Sequence, residues 1–448
     1  MRKLEFSGGY NLKLAGKPEK ALEQLLDIPD TIAVKALDIQ GIKPLVKVKE
    51  GDKVKAGDTL FLHKGDQRIK FVTPMSGEVK EVRRGHRRAL IEVSIKCDAK
   101  QDFGKFSKIN LDKTSEADIV NHLLDTGSWP FLRQMPYNCV ADPETRPRDI
   151  FVVTQDLEPH TPDLNYVLAD QLEGLKKGIE ILKKLTRGSI YFSGCKTDSE
   201  VPTGLDQIEG TTFIKTEARF PAGDPQVLGY HAAPLRQNEV QWYINAQDLI
   251  AIANLFESGK IDPQRTMTIC GSMSTRPRYI RSYIGSNVQT LLQSDFKEGD
   301  KEYISGGVFT GTLIEGDSHL GFYGHSLHVI PMGNRREFLR FMWPGLDKYS
   351  YSRVFMSTLF PRDEYTLSNS HQGEERACIQ CGHCENVCPV DILPQFLFKA
   401  VMAEEYDMAE GLGVKDCAEC NLCTYVCPSK IEVSGIIKDG LNTIQKEG

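Results

Sequence analysis

The chain has 448 residues, too many for one core, and its length suggests about three domains. It is 40% hydrophobic and 26% charged, the make-up of an ordinary globular protein. A net charge of −6 argues against general nucleic-acid binding, and no apolar run reaches the roughly 18 residues that span a bilayer. The opening "MRKLEFSGGYN" has two basic residues but no apolar stretch behind them, so it does not read as a signal peptide. The expectation is a cytoplasmic protein, soluble or peripherally attached.

In chain order, residues 44–61, "PLVKVKEGDKVKAGDTLF", alternate apolar and polar side chains at Val46, Val48, Val54 and Leu60. Gly51-Asp52 and Gly57-Asp58 mark turns between short strands. "VTPMSGEVKEV" follows from Val72. The paired segments resemble the barrel-sandwich hybrid of biotinyl and lipoyl carriers. Counting back from Pro74, the hairpin position of the modifiable lysine holds Asp66, and Lys64 is out of register. A docking or scaffold module is expected rather than a swinging arm. The basic run "RRGHRR" (83–88) reads as a solvated hairpin face or as a docking point for a membrane protein or acidic lipid.

Beyond residue 100 the pattern turns to mixed α/β. "DIFVVT" (149–154) and "GSIYFSG" (188–194) are strands. Between them Leu168, Leu172, Leu175, Ile179 and Leu182 recur at helical spacing, which predicts a parallel sheet. "NAQDLIAIANLFESG" (245–259) predicts a helix with a glycine stop. Residues 264–335 are rich in β-forming residues and glycine, a separate β-rich module. From about residue 370 the chain turns helical.

That helical tail carries eight of the twelve cysteines. "CIQCGHCENVCP" begins at Cys378 and "CAECNLCTYVCP" at Cys417. This is the C-x2-C-x2-C-x3-C-P run of ferredoxins with two [4Fe–4S] clusters, whose fourth cysteine serves the other cluster. Cys378, Cys381, Cys384 and Cys427 would hold one cluster. Cys417, Cys420, Cys423 and Cys388 would hold the second. The fourth cysteines are expected to enter a helix, with Pro389 and Pro428 in its first turn. Zinc is the structural alternative, though zinc sites do not need a third evenly spaced cysteine. Cys97, Cys139, Cys195 and Cys270 read as buried small apolar residues.

Further stretches are "GGYNLKLAGKPE" (8–19), "FPAGDPQVLGYHAAP" (220–234), "WYINAQDLIAI" (242–252), "SGGVFTGT" (305–312) and "DKYSYSRVFMSTLF" (347–360). With these the chain resembles, in order and over nearly its whole length, the NqrA family of the Na+-translocating NADH:quinone oxidoreductases. It is similar, more distantly, to the RnfC component of the Rnf ferredoxin:NAD+ oxidoreductase and to the NADH-binding flavoprotein of respiratory complex I. The resemblance implies a peripheral component without a transmembrane helix, on the cytoplasmic side of the plasma membrane, within a six-subunit-type Na+ pump that reduces quinone. It implies a multidomain α/β and β fold in four units: a barrel-sandwich hybrid (1–100), a Rossmann-like α/β domain (101–260), a β-grasp-like SLBB module (261–340) and a helical two-[4Fe–4S] ferredoxin-like domain (341–448).

The chain departs from its relatives at two places. The best-known NqrA proteins keep only remnants of the cysteine runs, whereas this chain keeps all eight, as RnfC does. The stretch matching the glycine-rich nucleotide loop of the Rnf and complex I relatives is "DTGSWPFLRQMP" (125–136), where Gly127 alone survives. Trp129 and Phe131 add bulk there, which argues against NADH and FMN in this chain. The acidic motif survives in part as "DLEPH" (156–160). For quinone the same stretch offers Trp129, Phe131, Arg133 and Tyr137, with Leu132, Gln134 and Met135 among them; its bland reading is a buried loop. His231, His325 and His328 are further donors to weigh against structural roles. An Rnf-like electron-input component, or a non-catalytic iron–sulfur scaffold, remains the alternative.

Overall fold

A computed structural model describes residues 2–24, 27–195, 208–334, 342–370 and 373–447. The side chain of Cys195 lies outside the described residues.

The N-terminal region folds into two small antiparallel sheets. One pairs Thr31–Lys35, Leu90–Cys97, Gly77–Arg84 and Lys53–Val54 in that order; the other pairs Pro44–Val46, Thr59–His63 and Lys70–Val72. Gly51 and Gly57 take φ of 87° and 100°, values only glycine reaches cheaply, so the two Gly-Asp pairs do form the turns. At the tip between Thr59–His63 and Lys70–Val72, Asp66 is clamped by Arg68 at 2.6 Å. The basic hairpin at 83–88 is largely exposed, and Arg83 reaches Glu315 at 3.3 Å.

The second unit is built on parallel pairing. Ile150–Val153 lies between Ile190–Cys195 and Gln241–Asn245, and Thr211–Thr216 extends the sheet beyond Ile190–Cys195. The central strand Ile150–Val153 is a continuous apolar run because helices cover the sheet. Leu172–Leu185 buries Leu175, Ile179 and Leu182 against it, and Ala246–Ser258 packs beside that helix. The latter starts where the Asn245 side chain accepts the Gln247 N–H and stops at Gly259, φ 71°. Leu168, expected in the longer helix, instead ends a short turn of helix, Leu164–Val167.

The third unit is a mixed sheet. Its order is Thr312–Ile314, Lys301–Ser305, Ser326–Pro331, Gln264–Cys270, Arg278–Tyr283 and Glu19–Gln24. Two N-terminal strands thus work elsewhere. Arg2–Lys3 adds to the parallel sheet and Glu19–Gln24 to the third. The expected first unit, 1–100, therefore gives its opening strands away, because lone short strands complete the edges of larger sheets more readily than they stand alone.

The tail packs His383–Val387, Pro394–Met402, Tyr406–Gly411, Leu422–Tyr425 and Val433–Glu447 around Leu397, Val414, Ile437 and Leu441. One expectation is corrected here. Cys388 caps the end of His383–Val387 in extended conformation, and Cys427 lies just past the end of Leu422–Tyr425, outside any helix. Pro389 and Pro428 sit in turns, and it is Pro394 that opens the next helix. Among the described residues no helix is long and apolar enough to cross a membrane.

Candidate cluster sites and the cavity beside them

The two cysteine runs fold as conformational copies. The residue before the second cysteine has positive φ in both, Gln380 at 53° and Glu419 at 51°. The residue after it does too, Gly382 at 75° and Asn421 at 59°. Such alternation curls a loop so that its N–H groups converge on one side. The sulfurs collect them. Cys384 accepts from Glu385, Cys417 from Glu419, Cys420 from Leu422, and Cys388 from both Val390 and Ile392.

Each run meets the last cysteine of the other. Cys378, Cys381, Cys384 and Cys427 line one small cavity, closed by Gln395 and Phe398. Burial pushes the Cys384 thiol up to about 11, and the charges of Cys381 and Cys427 push the same way. On the other side burial lifts Cys417 to about 12 and Cys420 and Cys423 well above their usual range, with Cys388 adding to all three. Cys384 also acts on Cys423, so the two groups of thiols are neighbours. Buried thiols bearing backbone N–H bonds suit thiolates around an anionic centre. The cost is that loading such a site must expel protons, so it is favoured by higher pH.

Beside the second group lies a cavity of about 1070 Å³. It opens at the C-terminal ends of Ile150–Val153 and Gln241–Asn245, the usual place for ligands in open parallel sheets. All four parts of the chain contribute to its wall. Lys43 and His63 come from the first unit, Phe131, Arg133 and Tyr243 from the second, Tyr323 and His325 from the third, and Ala418, Glu419 and Asn421 from the second cysteine loop. Arg133 is held between the rings of Tyr323 and Tyr243, at 4.5 and 5.1 Å, and donates to Asn138 O at 3.1 Å. Asp156, Glu158, Asp224 and Glu419 share the wall with Lys43, Arg133, Lys438 and Lys446.

The surviving acidic motif has a use that spacing did not reveal. Glu158 is buried and accepts the Phe309 N–H, the Thr310 N–H at 2.9 Å and the Thr310 hydroxyl at 2.6 Å. A Cβ on Gly307 would stand 1.8 Å from its Oε2, so this glycine leaves room for the carboxyl. Burial, and then the charge of Asp156, raise Glu158 to about 7, while the three donors pull the other way. Asn421 donates to Phe309 O from the opposite side, tying the cysteine loop to the same glycine loop.

The matches to known families follow this architecture. Residues 4–98 match the NqrA N-terminal barrel-sandwich hybrid domain, 114–261 the NqrA second alpha/beta domain, 266–316 the NQRA C-terminal domain, and 377–432 a 4Fe-4S dicluster domain. The chain is 32% identical to the NqrA protein of the Na(+)-translocating NADH-quinone reductase of Hahella chejuensis, over 99% of this chain and 100% of that one. The chain belongs to the NqrA family. Identity is 32% to the NqrA protein of Alcanivorax borkumensis, over 98% and 99% of the two chains, and 31% to that of Pseudomonas aeruginosa, over 99% and 100%.

As an NqrA-family fold, the chain distributes the expected quinone residues unevenly. Phe131 and Arg133 reach the cavity. Trp129 does not. It is fully buried, gives its Nε1–H to Ala141 O at 2.7 Å and stands edge-on to Trp242 at 5.4 Å. An indole whose single donor is satisfied in the core is a packing residue. Tyr137 packs toward the tail beside Lys415. We expect Trp129→Ala to cost roughly 3–5 kcal/mol of stability. Chemical denaturation measures this, and a cost below about 1 kcal/mol would contradict the core role. Gly127, the lone remnant of the nucleotide loop, is explained by packing. A Cβ there would meet Val72 Cγ1 at 2.4 Å. The scattered cysteines divide as well: Cys270 is fully buried, while Cys97 and Cys139 are half-buried.

Proposed function

We propose that the chain is the peripheral NqrA component of a Na+-translocating NADH:quinone oxidoreductase, docked on the cytoplasmic side of the membrane with the other members of a six-subunit-type complex. Its tail holds two [4Fe–4S] clusters in crossed order. Cys378, Cys381, Cys384 and Cys427 bind the first; Cys417, Cys420, Cys423 and Cys388 bind the second. Bound there, the clusters supply single-electron transfer. The residues around them hold thiolates in place with backbone N–H groups and anchor the second loop through Asn421.

The observation that carries this reading is the wall shared by the second cysteine loop and the large cavity. A redox ligand in that cavity would lie against Ala418, Glu419 and Asn421. We assign the cavity to a quinone, a neutral molecule with an apolar ring and two oxygens. Phe131 offers apolar surface and Arg133 a cation, while Tyr137 does not line the cavity. Glu158 occupies N–H groups of the glycine loop beside the cavity, which a phosphate would otherwise use. That, with Gly127 as the lone glycine of residues 125–136, argues against NADH and FMN in this chain.

The test uses the anaerobically purified full chain. Iron and sulfide should be present in amounts for two cubanes. Clusters reduced with dithionite should be reoxidised by a short-chain ubiquinone, and NADH should neither bleach them nor give heat in calorimetry at micromolar concentration. Bleaching by NADH would move the assignment to an Rnf-like electron-input component. No redox-linked spectral change at all would leave a scaffold.

A further inference from the structure

His231, His325 and His328 differ in what their ring nitrogens already hold. His231 points Nε2 at Pro389 O, 2.7 Å away, and its ring stacks on Phe6. His328 has Nδ1 3.0 Å from Gly306 O and Nε2 2.9 Å from Pro159 O. Both are committed to fastening backbone. His325 is not. It lines the large cavity, and its Nδ1 is sealed from solvent without a hydrogen-bond partner.

That asymmetry fixes the tautomer. A sealed N–H without an acceptor is rarer in folded proteins than a sealed lone pair. The proton therefore belongs on Nε2, the ring nitrogen left open. Burial, aided by the Arg265 guanidinium, holds the imidazole well below its usual range, so it is neutral at physiological pH. Its main chain is fixed, since His325 O accepts the Thr268 N–H at 3.1 Å just ahead of the strand Ser326–Pro331. The result is a neutral donor on a rigid mount facing a ligand-sized space.

We propose that His325 donates from Nε2–H to a carbonyl oxygen of the quinone in this cavity, an assignment that rests on the quinone reading above. Arg133 is another donor on the wall, but its guanidinium is already shared between two tyrosine rings and Asn138 O. His325 is a wall donor whose pairing the ligand completes.

The test is binding of a short-chain ubiquinone, ¹³C-labelled at its carbonyls, to the anaerobic full chain. In the wild type one carbonyl stretch should fall below its position in an aprotic solvent. His325→Ala should bind about fivefold more weakly, the effect of one neutral hydrogen bond, and lose that infrared shift. His325→Gln, which keeps an N–H donor, should recover most of both. Unchanged cluster absorbance and thermal midpoint check that the variants are folded. In the wild type alone, the dimethoxybenzene analogue without carbonyls should bind about fivefold more weakly than the quinone. Wild-type affinity and an unshifted spectrum in His325→Ala would overturn the assignment while leaving quinone binding intact. If the wild type itself fails to bind ubiquinone, the quinone reading fails first and takes this assignment with it.

Discussion

Asp248→Ala is expected to destabilise the chain by about 3–5 kcal/mol, because it strands a buried charge. Arg265 bonds Asp248 Oδ1 at 2.5 Å and Phe322 O at 2.8 Å, and both side chains of the ion pair are only 5% exposed. The guanidinium also lies 5.2 Å from the Phe131 ring. The pair joins the helix Ala246–Ser258 of the second unit to the strand Gln264–Cys270 of the third, with Asp248 on the wall of the large cavity. Removing the carboxylate leaves Arg265 with one carbonyl for a full positive charge. Replacing both partners, Asp248→Leu with Arg265→Met, should restore most of the stability, since apolar residues of similar volume need no counter-charge. Urea denaturation of the single and double variants measures both effects. A single variant within about 1 kcal/mol of the wild type would show that solvent reaches this junction.

What the sequence made legible was local. The helix at 246–258 announced itself through Asn245, its apolar spacing and Gly259, all within one short window. The strand at 150–153 was a plain apolar run between polar ends. The cysteine runs were legible as a repeat of spacing, and the two loops copy each other turn for turn. What remained hidden depends on residues far apart in the chain. Glu158 and Gly307 explain each other across about 150 positions, and neither looks unusual alone. "SGGVFTGT" carried the one available hint, a cluster of three glycines in eight residues.

Trp129 misled for a related reason. An aromatic residue beside a degenerate nucleotide loop reads as a ligand contact until Ala141 O is seen to take its N–H. Pro389 and Pro428 misled because proline suits the start of a helix and a turn equally well, and nothing in the spacing separates the two. The cavity itself is the least local feature. Four units must be docked before its wall exists, and the first unit supplies Lys43 and His63 to it.

The crossed order is the larger claim, and removing one thiol should show it as the loss or conversion of a whole cluster signal. Cys388 is closer in sequence to Cys378, Cys381 and Cys384 than to the second run. Yet its charge acts on Cys417, Cys420 and Cys423, while Cys427 closes the cavity of the first run. Serine oxygen is a poorer iron ligand than thiolate, so each replacement should mark the cluster that its residue serves. The decisive measurement is electron paramagnetic resonance of the dithionite-reduced, anaerobically purified chain carrying Cys388→Ser, set beside Cys381→Ser and Cys420→Ser. Crossed ligation predicts that Cys388→Ser reproduces the altered spectrum of Cys420→Ser and leaves the other cluster as in the wild type. A Cys388→Ser spectrum that matches Cys381→Ser instead would contradict it, and with it the two-cluster ferredoxin reading of the tail.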